Sequence, residues 1–267
     1  MIDETACGFR KASGQGCDQA VGCAVDQGIG APRAAEPTYR LRAFRRSEAV
    51  LGRPPPDGLM TFAPGYGETP VPEDDAASLL PTVREALGNQ LVKAAVYDLE
   101  QAIQDEVAEE RFVEVIGGNL VVEELLTDYF LRDLHRRLYG DVWTWAGTYR
   151  HRELNIGVAP EQIAVELRGS LDTILYRWQH TADWTGRELG IAAHAETVRI
   201  HPFTDGNGRT TRLLADLVFL AAQNTDVPEL YDWHLDKCRY IELLREYDVH
   251  RDPRELAAFV GTRRLGE

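Results

Sequence analysis

Lysine is nearly absent from this sequence: Lys11, Lys93 and Lys237 are the only three among 267 residues. Basic character therefore rests on arginine, a bias that fits a GC-rich genome and carries no functional meaning by itself. Positive charge is scarce overall, with 29 Lys and Arg against 43 Asp and Glu and a formal net charge of -14. A surface of that sign repels nucleic-acid backbones and anionic membranes, which argues against direct nucleic-acid or membrane binding. Long apolar runs are also missing, since none reaches the roughly 18 residues that a spanning helix needs. The N-terminus has neither the basic start nor the unbroken apolar stretch of a secretory signal, so a cytoplasmic location is expected. Cysteine is sparse. Cys7, Cys17 and Cys23 crowd the N-terminal end, Cys238 is far away, no CxxC pair occurs, and every histidine lies from His135 onward. Free thiols are expected, not a zinc or disulfide framework.

What is present is a chain that is 44% hydrophobic, enough for a substantial core. Residues 1–60 show no helical or strand periodicity, and Pro54-Pro55-Pro56-Asp57-Gly58 closes them with a turn-rich break. They are expected to be a disordered or loosely ordered extension. Residues 61–90 read as an N-terminal arm and helix, with Glu73, Asp74 and Asp75 suited to the positive end of a helix dipole. Residues 91–267 read as the main domain. Val92, Val96, Leu99, Ile103 and Val107 recur at three- and four-residue spacing, which predicts a helix with one apolar face ending near Gly117. Leu126, Phe130, Leu134 and Leu138 predict a second, stopping at Gly140, and Ile163, Leu167, Leu171, Ile174 and Trp178 a third. Further helices are expected over about 190–200, from Gly208 or Arg209, over about 235–247 and from Pro253. Tyr149 to Pro160 is too polar and interrupted for a helix and reads as a short hairpin or extended loop. The expected fold is all-α with one β-hairpin, its functional core over 125–225.

The chemistry concentrates in His201-Pro-Phe-Thr-Asp205-Gly-Asn-Gly-Arg209-Thr-Thr-Arg212. Gly206, Asn207 and Gly208 free the backbone to turn its N–H groups inward. The helix starting there adds unpaired N–H groups and a positive dipole end, the makings of an anion site. Arg209 and Arg212, three apart on that helix, can clamp successive phosphates. Asp205 puts a carboxylate where Mg²⁺ bridging phosphate oxygens needs one, and His201 supplies a base near neutral pH. Pro202 stiffens the loop and Phe203 anchors it in the core. Base, carboxylate, anion nest and two arginines within one short segment amount to a phosphoryl or nucleotidyl transfer site. His194, Trp143 and Trp145 read first as core residues.

This segment matches every specified position of the Fic-domain signature HPFx(D/E)GNGRxxR, and the chain resembles that family. Leu134-His-Arg-Arg-Leu-Tyr-Gly140, Trp145-Ala-Gly-Thr-Tyr-Arg150 and Asn155-Ile-Gly-Val158 extend the resemblance, the last toward the subgroup called mobile mystery protein B. The resemblance implies a Fic-type helical bundle with a β-hairpin flap. It implies transfer of AMP from ATP, with Mg²⁺, to a Ser, Thr or Tyr hydroxyl of a target protein. His201 would deprotonate the hydroxyl, Asp205 hold Mg²⁺, and Gly206, Asn207 and Gly208 cradle the phosphates. Arg209 and Arg212 would bind the β- and γ-phosphates, and a flap of Tyr149, Arg150, Asn155, Ile156 and Gly157 would align the target by β-augmentation. Tyr240 is a candidate adenine contact. Gly208, where the phosphoryl-transferring Doc branch carries Lys, favours AMP; phosphocholine or phosphoryl transfer and a catalytically silent toxin–antitoxin module remain alternatives.

Many Fic proteins restrain the second arginine with a helix of pattern (S/T)xxxE(G/N). Thr225-Asp-Val-Pro-Glu229 and Thr82-Val-Arg-Glu85 match it only in part. Arg212 is accordingly expected to be free within the chain, or held by a degenerate Glu85-centred helix or by a partner. Candidate partners are an antitoxin, a helix-turn-helix protein or a second copy of the chain.

Overall fold

The computed structural model describes residues 73–88 and 92–266. The expected extension over 1–60, with three of the four cysteines, lies outside them; Cys238 is a free, exposed thiol. The helices are α1 (Glu73–Ser78), α2 (Pro81–Leu87), α3 (Lys93–Ile116), α4 (Val122–Leu125), α5 (Asp128–Tyr139), α6 (Ile163–His180), α7 (Gly186–Ile200), α8 (Asn207–Ala221), α9 (Lys237–His250) and α10 (Arg254–Phe259). Two four-residue strands, β1 (Glu229–Asp232) and β2 (Gly261–Arg264), pair antiparallel, Glu229 opposite Arg264.

Local sequence explains the helix ends. Thr127 caps α5, its hydroxyl accepting the Phe130 N–H at 3.1 Å. Asp236 caps α9 through the Arg239 N–H at 2.8 Å. Helix α7 begins at Gly186, earlier than hydrophobic spacing predicts, because Thr185 and Glu188 form a reciprocal capping box that satisfies two orphan N–H groups. At the other end of the long helix α3, Gly117 forms the expected stop.

Helices α7 and α8 are central. Each buries residues on several faces, including Leu189, Ile191, Ala192 and Ala195 on α7 and Leu214, Leu217 and Val218 on α8, as a helix covered on all sides must. Gly190 lets them approach: a Cβ there would lie 2.8 Å from the Ala215 carbonyl and 2.5 Å from the Tyr231 hydroxyl. Helices α3, α4, α5 and β1 pack on α8, and α6 packs on α7. No helix among the described residues is long and apolar enough to cross a membrane.

The helical architecture matches expectation, but the strand pair lies elsewhere. Tyr149 to Pro160 contains no strand; it is an irregular loop up to Ala159, and Pro160 opens a short 3-10 turn. Its ends are tied to the neighbouring loop, the Arg150 N–H to Pro202 O at 2.9 Å and the Val158 N–H to Ile200 O at 3.3 Å, which leaves no cross-strand partner for a hairpin. The actual strands, Glu-Leu-Tyr-Asp and Gly-Thr-Arg-Arg, are too short and polar to show alternation and pair across a long chain separation.

Candidate active site

The site is the loop between α7 and α8. His201 ends α7 with φ 52 and ψ 62, the left-handed region that a side-chain-bearing residue enters at a cost of roughly 1–2 kcal/mol. The surrounding chain enforces it. Arg150, 3% exposed, donates from Nε to His201 O at 2.7 Å, from Nη1 to Arg152 O at 2.9 Å and from Nη2 to Val158 O. Gly157, at φ 87, passes so close that a Cβ would sit 2.7 Å from His201 Cβ. Burial, and then the charge of Arg150, lower the His201 pKa, with Asp205 opposing. The ring is therefore disposed to be neutral and to accept a proton.

Phe203 is fully buried, so trimming it to alanine would cost roughly 3–5 kcal/mol. Asn207 closes the loop on itself: its Oδ1 accepts the Phe203 N–H at 2.9 Å and its Nδ2 donates to Phe203 O at 2.8 Å. Beneath lies His135, wholly buried and stacked on Phe203 with ring centroids 3.7 Å apart. The Gly147 N–H donates to its Nδ1 at 2.8 Å, so Nε2 carries the proton and donates to Asp205 O at 3.0 Å. Burial pushes the His135 pKa down to about 4, which keeps the ring neutral and the two bonds intact.

Gly206 caps α8 at φ 74, with the Tyr139 ring 2.5 Å from where a Cβ would be; only glycine fits both the angle and the space. At Gly208 nothing lies within 4 Å of a Cβ position, so the start of α8, with its orphan N–H groups, is open. Asp205 is exposed and accepts the Gly206 N–H at 2.6 Å.

The two arginines sit in different surroundings. Arg209 lies over the Tyr139 ring at 5.0 Å and pairs with Glu100 of α3. Glu100 is 2% exposed and takes a second bond from Trp143 Nε1 at 2.6 Å. Stripping a buried charge of its partner costs up to roughly 3–5 kcal/mol. Arg212 forms no ion pair among the described residues; its guanidinium lies 5.7 Å from the Trp233 ring centroid. A cavity of about 730 Å³ opens beside Asp205, floored by Glu100, Trp143 and Trp145 and walled by the loop from Arg150 to Leu154.

The profile described as "Fic/DOC family" matches residues 125–219, which include the whole loop. The chain carries a Fic domain. Among curated relatives, protein adenylyltransferase fic-1 of Caenorhabditis elegans is 35% identical over 103 residues, 37% of this chain and 20% of the relative. Protein adenylyltransferase Fic of Nematostella vectensis is 31% identical over 133 residues, 48% of this chain and 30% of the relative. The chain thus spans well under half the length of these relatives. Among solved structures, the N-terminal Fic domain of a putative cell filamentation protein from Bartonella quintana superposes with TM-score 0.49 at 18% identity, covering 64% of this chain and 84% of that one.

Within the Fic domain, His201, Asp205, Gly206, Gly208 and Arg209 come together around the start of α8. Other predicted residues are partly committed to the fold. The Asn207 side chain is committed to Phe203, so only its backbone N–H faces the nest. Arg150 is a buried strut holding the loop, with its guanidinium bound to carbonyls, which leaves Asn155, Ile156 and Gly157 as the exposed residues of the predicted flap; Tyr149 is half-buried beside Phe203, ring centroids 6.2 Å apart. The Tyr240 hydroxyl lies 2.5 Å from Nε2 of buried His194, so its polar end is already engaged. Glu85 is exposed on α2 and forms no ion pair with Arg212; the carboxylate that pairs with a site arginine is Glu100, and it holds Arg209. Glu100 was legible as an anomaly, a carboxylate standing on the apolar stripe four residues after Val96 and three before Ile103. His135 likewise adjoins the Leu134 and Leu138 stripe.

Proposed function

We propose that the Fic domain transfers AMP from ATP to a Ser, Thr or Tyr hydroxyl of a target protein. The observation that carries this reading is the convergence, on one six-residue loop, of a desolvated imidazole and an open helix start followed by Arg209. His201 accepts the hydroxyl proton. The freed oxygen attacks the α-phosphorus, a P–O bond forms, the bond to the β-phosphate oxygen breaks, and pyrophosphate leaves. The backbone N–H groups of Asn207 and Gly208, at the start of α8, and the guanidinium groups of Arg209 and Arg212 hold the polyphosphate and meet the charge that develops on it.

Among the described residues no cluster of three or more His, Cys, Asp or Glu side chains is placed to hold a metal. A single exposed carboxylate, Asp205, fits an ion that takes its remaining ligands from phosphate and water, as Mg²⁺ does. Mg²⁺ held there would neutralise phosphate charge. The open position at Gly208 favours AMP over a γ-phosphoryl group.

Incubation with a candidate target and either α- or γ-labelled ATP, with Mg²⁺ and a His201→Ala control, tests the reading. Label on protein from α-labelled ATP alone, lost in the control, is the expected result. Label from γ-labelled ATP would instead indicate phosphoryl transfer, and no label from ATP or a choline-bearing nucleotide would indicate a binding module.

A further inference from the structure

We infer that Glu100 and Trp143 are positioning residues for the phosphate clamp, fixing Arg209 toward a nucleotide β-phosphate. The inference rests on the proposed nucleotide site and adds to it a helix, α3, that lies outside the matched loop.

A carboxylate paired with a site arginine admits two opposite roles. It can be a lock, occupying the guanidinium until phosphate displaces it, or a brace, holding the guanidinium while phosphate binds its free edge. Burial decides between them. Glu100 is 2% exposed, and its second oxygen is bound by Trp143 Nε1 at 2.6 Å. Displacing Arg209 would leave that nearly buried carboxylate with the indole N–H of Trp143 as its one remaining hydrogen-bond donor among the described residues, and a buried charge stripped of its partner is costly. Arg209 has no such constraint. Its side chain is 36% exposed, and a guanidinium has five N–H donors in a planar fork, so pairing through Nη1 leaves donors on the remaining edge. The Tyr139 face, 5.0 Å away, restricts its rotation further. The brace therefore survives phosphate binding and the lock does not.

Glu100 pairs with Arg209 and fixes its orientation. Arg212 has no ion pair among the described residues. Arg209 then contributes direction, and Arg212 a charge with no such partner.

Calorimetric titration with ADP and with AMP separates the two roles, because AMP has no β-phosphate to report on Arg209. Glu100→Gln, which keeps shape and loses charge, is expected to weaken ADP binding about tenfold, or about 1.4 kcal/mol, and to leave AMP binding unchanged. Trp143→Phe, which removes only the indole N–H from the brace, is expected to weaken ADP about threefold and serves alone if Glu100→Gln does not fold. Tighter ADP binding in either variant shows a lock and overturns the inference, as do unchanged ADP affinity and an equal loss for AMP. A wild-type protein that binds neither nucleotide overturns the nucleotide site itself, and this inference with it.

Discussion

His135 Nε2 lies 3.0 Å from the carbonyl oxygen of Asp205, so a wholly buried imidazole on α5 supports the backbone of the one exposed carboxylate in the loop. The same ring accepts the Gly147 N–H and stacks on Phe203. One neutral side chain thus sets the height of the loop and the segment that leads into the flap. The arrangement works only while the imidazole is uncharged, since a proton on Nδ1 would turn the acceptor for Gly147 into a second donor.

Stability should consequently fall in mild acid. Burial lowers the His135 pKa to about 4 and that of His194 to about 3, below the unfolded value near 6.5. Between those values the unfolded chain binds two protons that the folded one excludes, and stability rises with pH. Asp216 acts oppositely. Burial raises its pKa to about 7, so over the same window the folded state holds a proton that the unfolded state has released. Two minus one leaves one net proton, a slope of about 1.4 kcal/mol per pH unit. His201 is shifted down and Asp248 up, so these two act in opposite directions. Urea unfolding at pH 5 and pH 6 measures this slope. In His135→Phe, which keeps the stack on Phe203, the slope should flatten toward zero, with a loss of roughly 2–4 kcal/mol at pH 7 from two unsatisfied backbone groups. A variant slope as steep as that of the wild type would remove His135 from the account.

The contrast between what was and was not legible follows from the range of the interactions. Hydrophobic spacing located α3, α5 and α6, because each buries a stripe written in contiguous sequence, and the Gly-Asn-Gly turn marked the start of α8. His201, Asp205, Gly206 and Gly208 were equally legible, since the chemistry of that loop is local. The partners of the braces were not. Glu100 reaches Arg209 across 109 positions, and Arg150 reads as an ordinary exposed arginine until its three carbonyl partners are in place. The strand pair β1–β2 was hidden for the same reason. Position 207 shows the finer limit: the order Gly-Asn-Gly indicated an anion nest, yet the asparagine amide is spent on the main chain of Phe203.

Gly206 and Gly208 should respond oppositely to the same substitution. Alanine at Gly206 would carry φ 74 and meet the Tyr139 ring at 2.5 Å, so a loss of at least about 2 kcal/mol is expected. Alanine at Gly208 meets nothing within 4 Å and replaces a poor helix former inside the first turn of α8, so stability should hold or rise by up to about 1 kcal/mol. Its methyl group would stand where phosphate oxygens approach the orphan N–H groups, and ADP affinity should fall several-fold, by roughly 1 kcal/mol. Thermal unfolding and an ADP titration on both variants read the two effects separately. A Gly208→Ala protein that binds ADP as tightly as the wild type would show that the helix start is not the phosphate seat.

The base should work below its ordinary range. Burial and the neighbouring Arg150 charge both disfavour the imidazolium form of His201, and together they outweigh Asp205. The neutral, proton-accepting form therefore persists below pH 6.5. In a pH profile of kcat/KM for AMP transfer, which reports the free enzyme, the acid limb should have its midpoint below 6.5. More than half of the plateau rate should then remain at pH 6.5, with folding verified at each pH by circular dichroism. Exchanging Asp205 for Asn removes the one nearby charge that favours imidazolium, so any residual activity should show an acid limb displaced still further down. A midpoint at or above 6.5 in the wild type would mean that solvent reaches the ring, and that the left-handed turn at His201 serves the loop's shape without tuning its base.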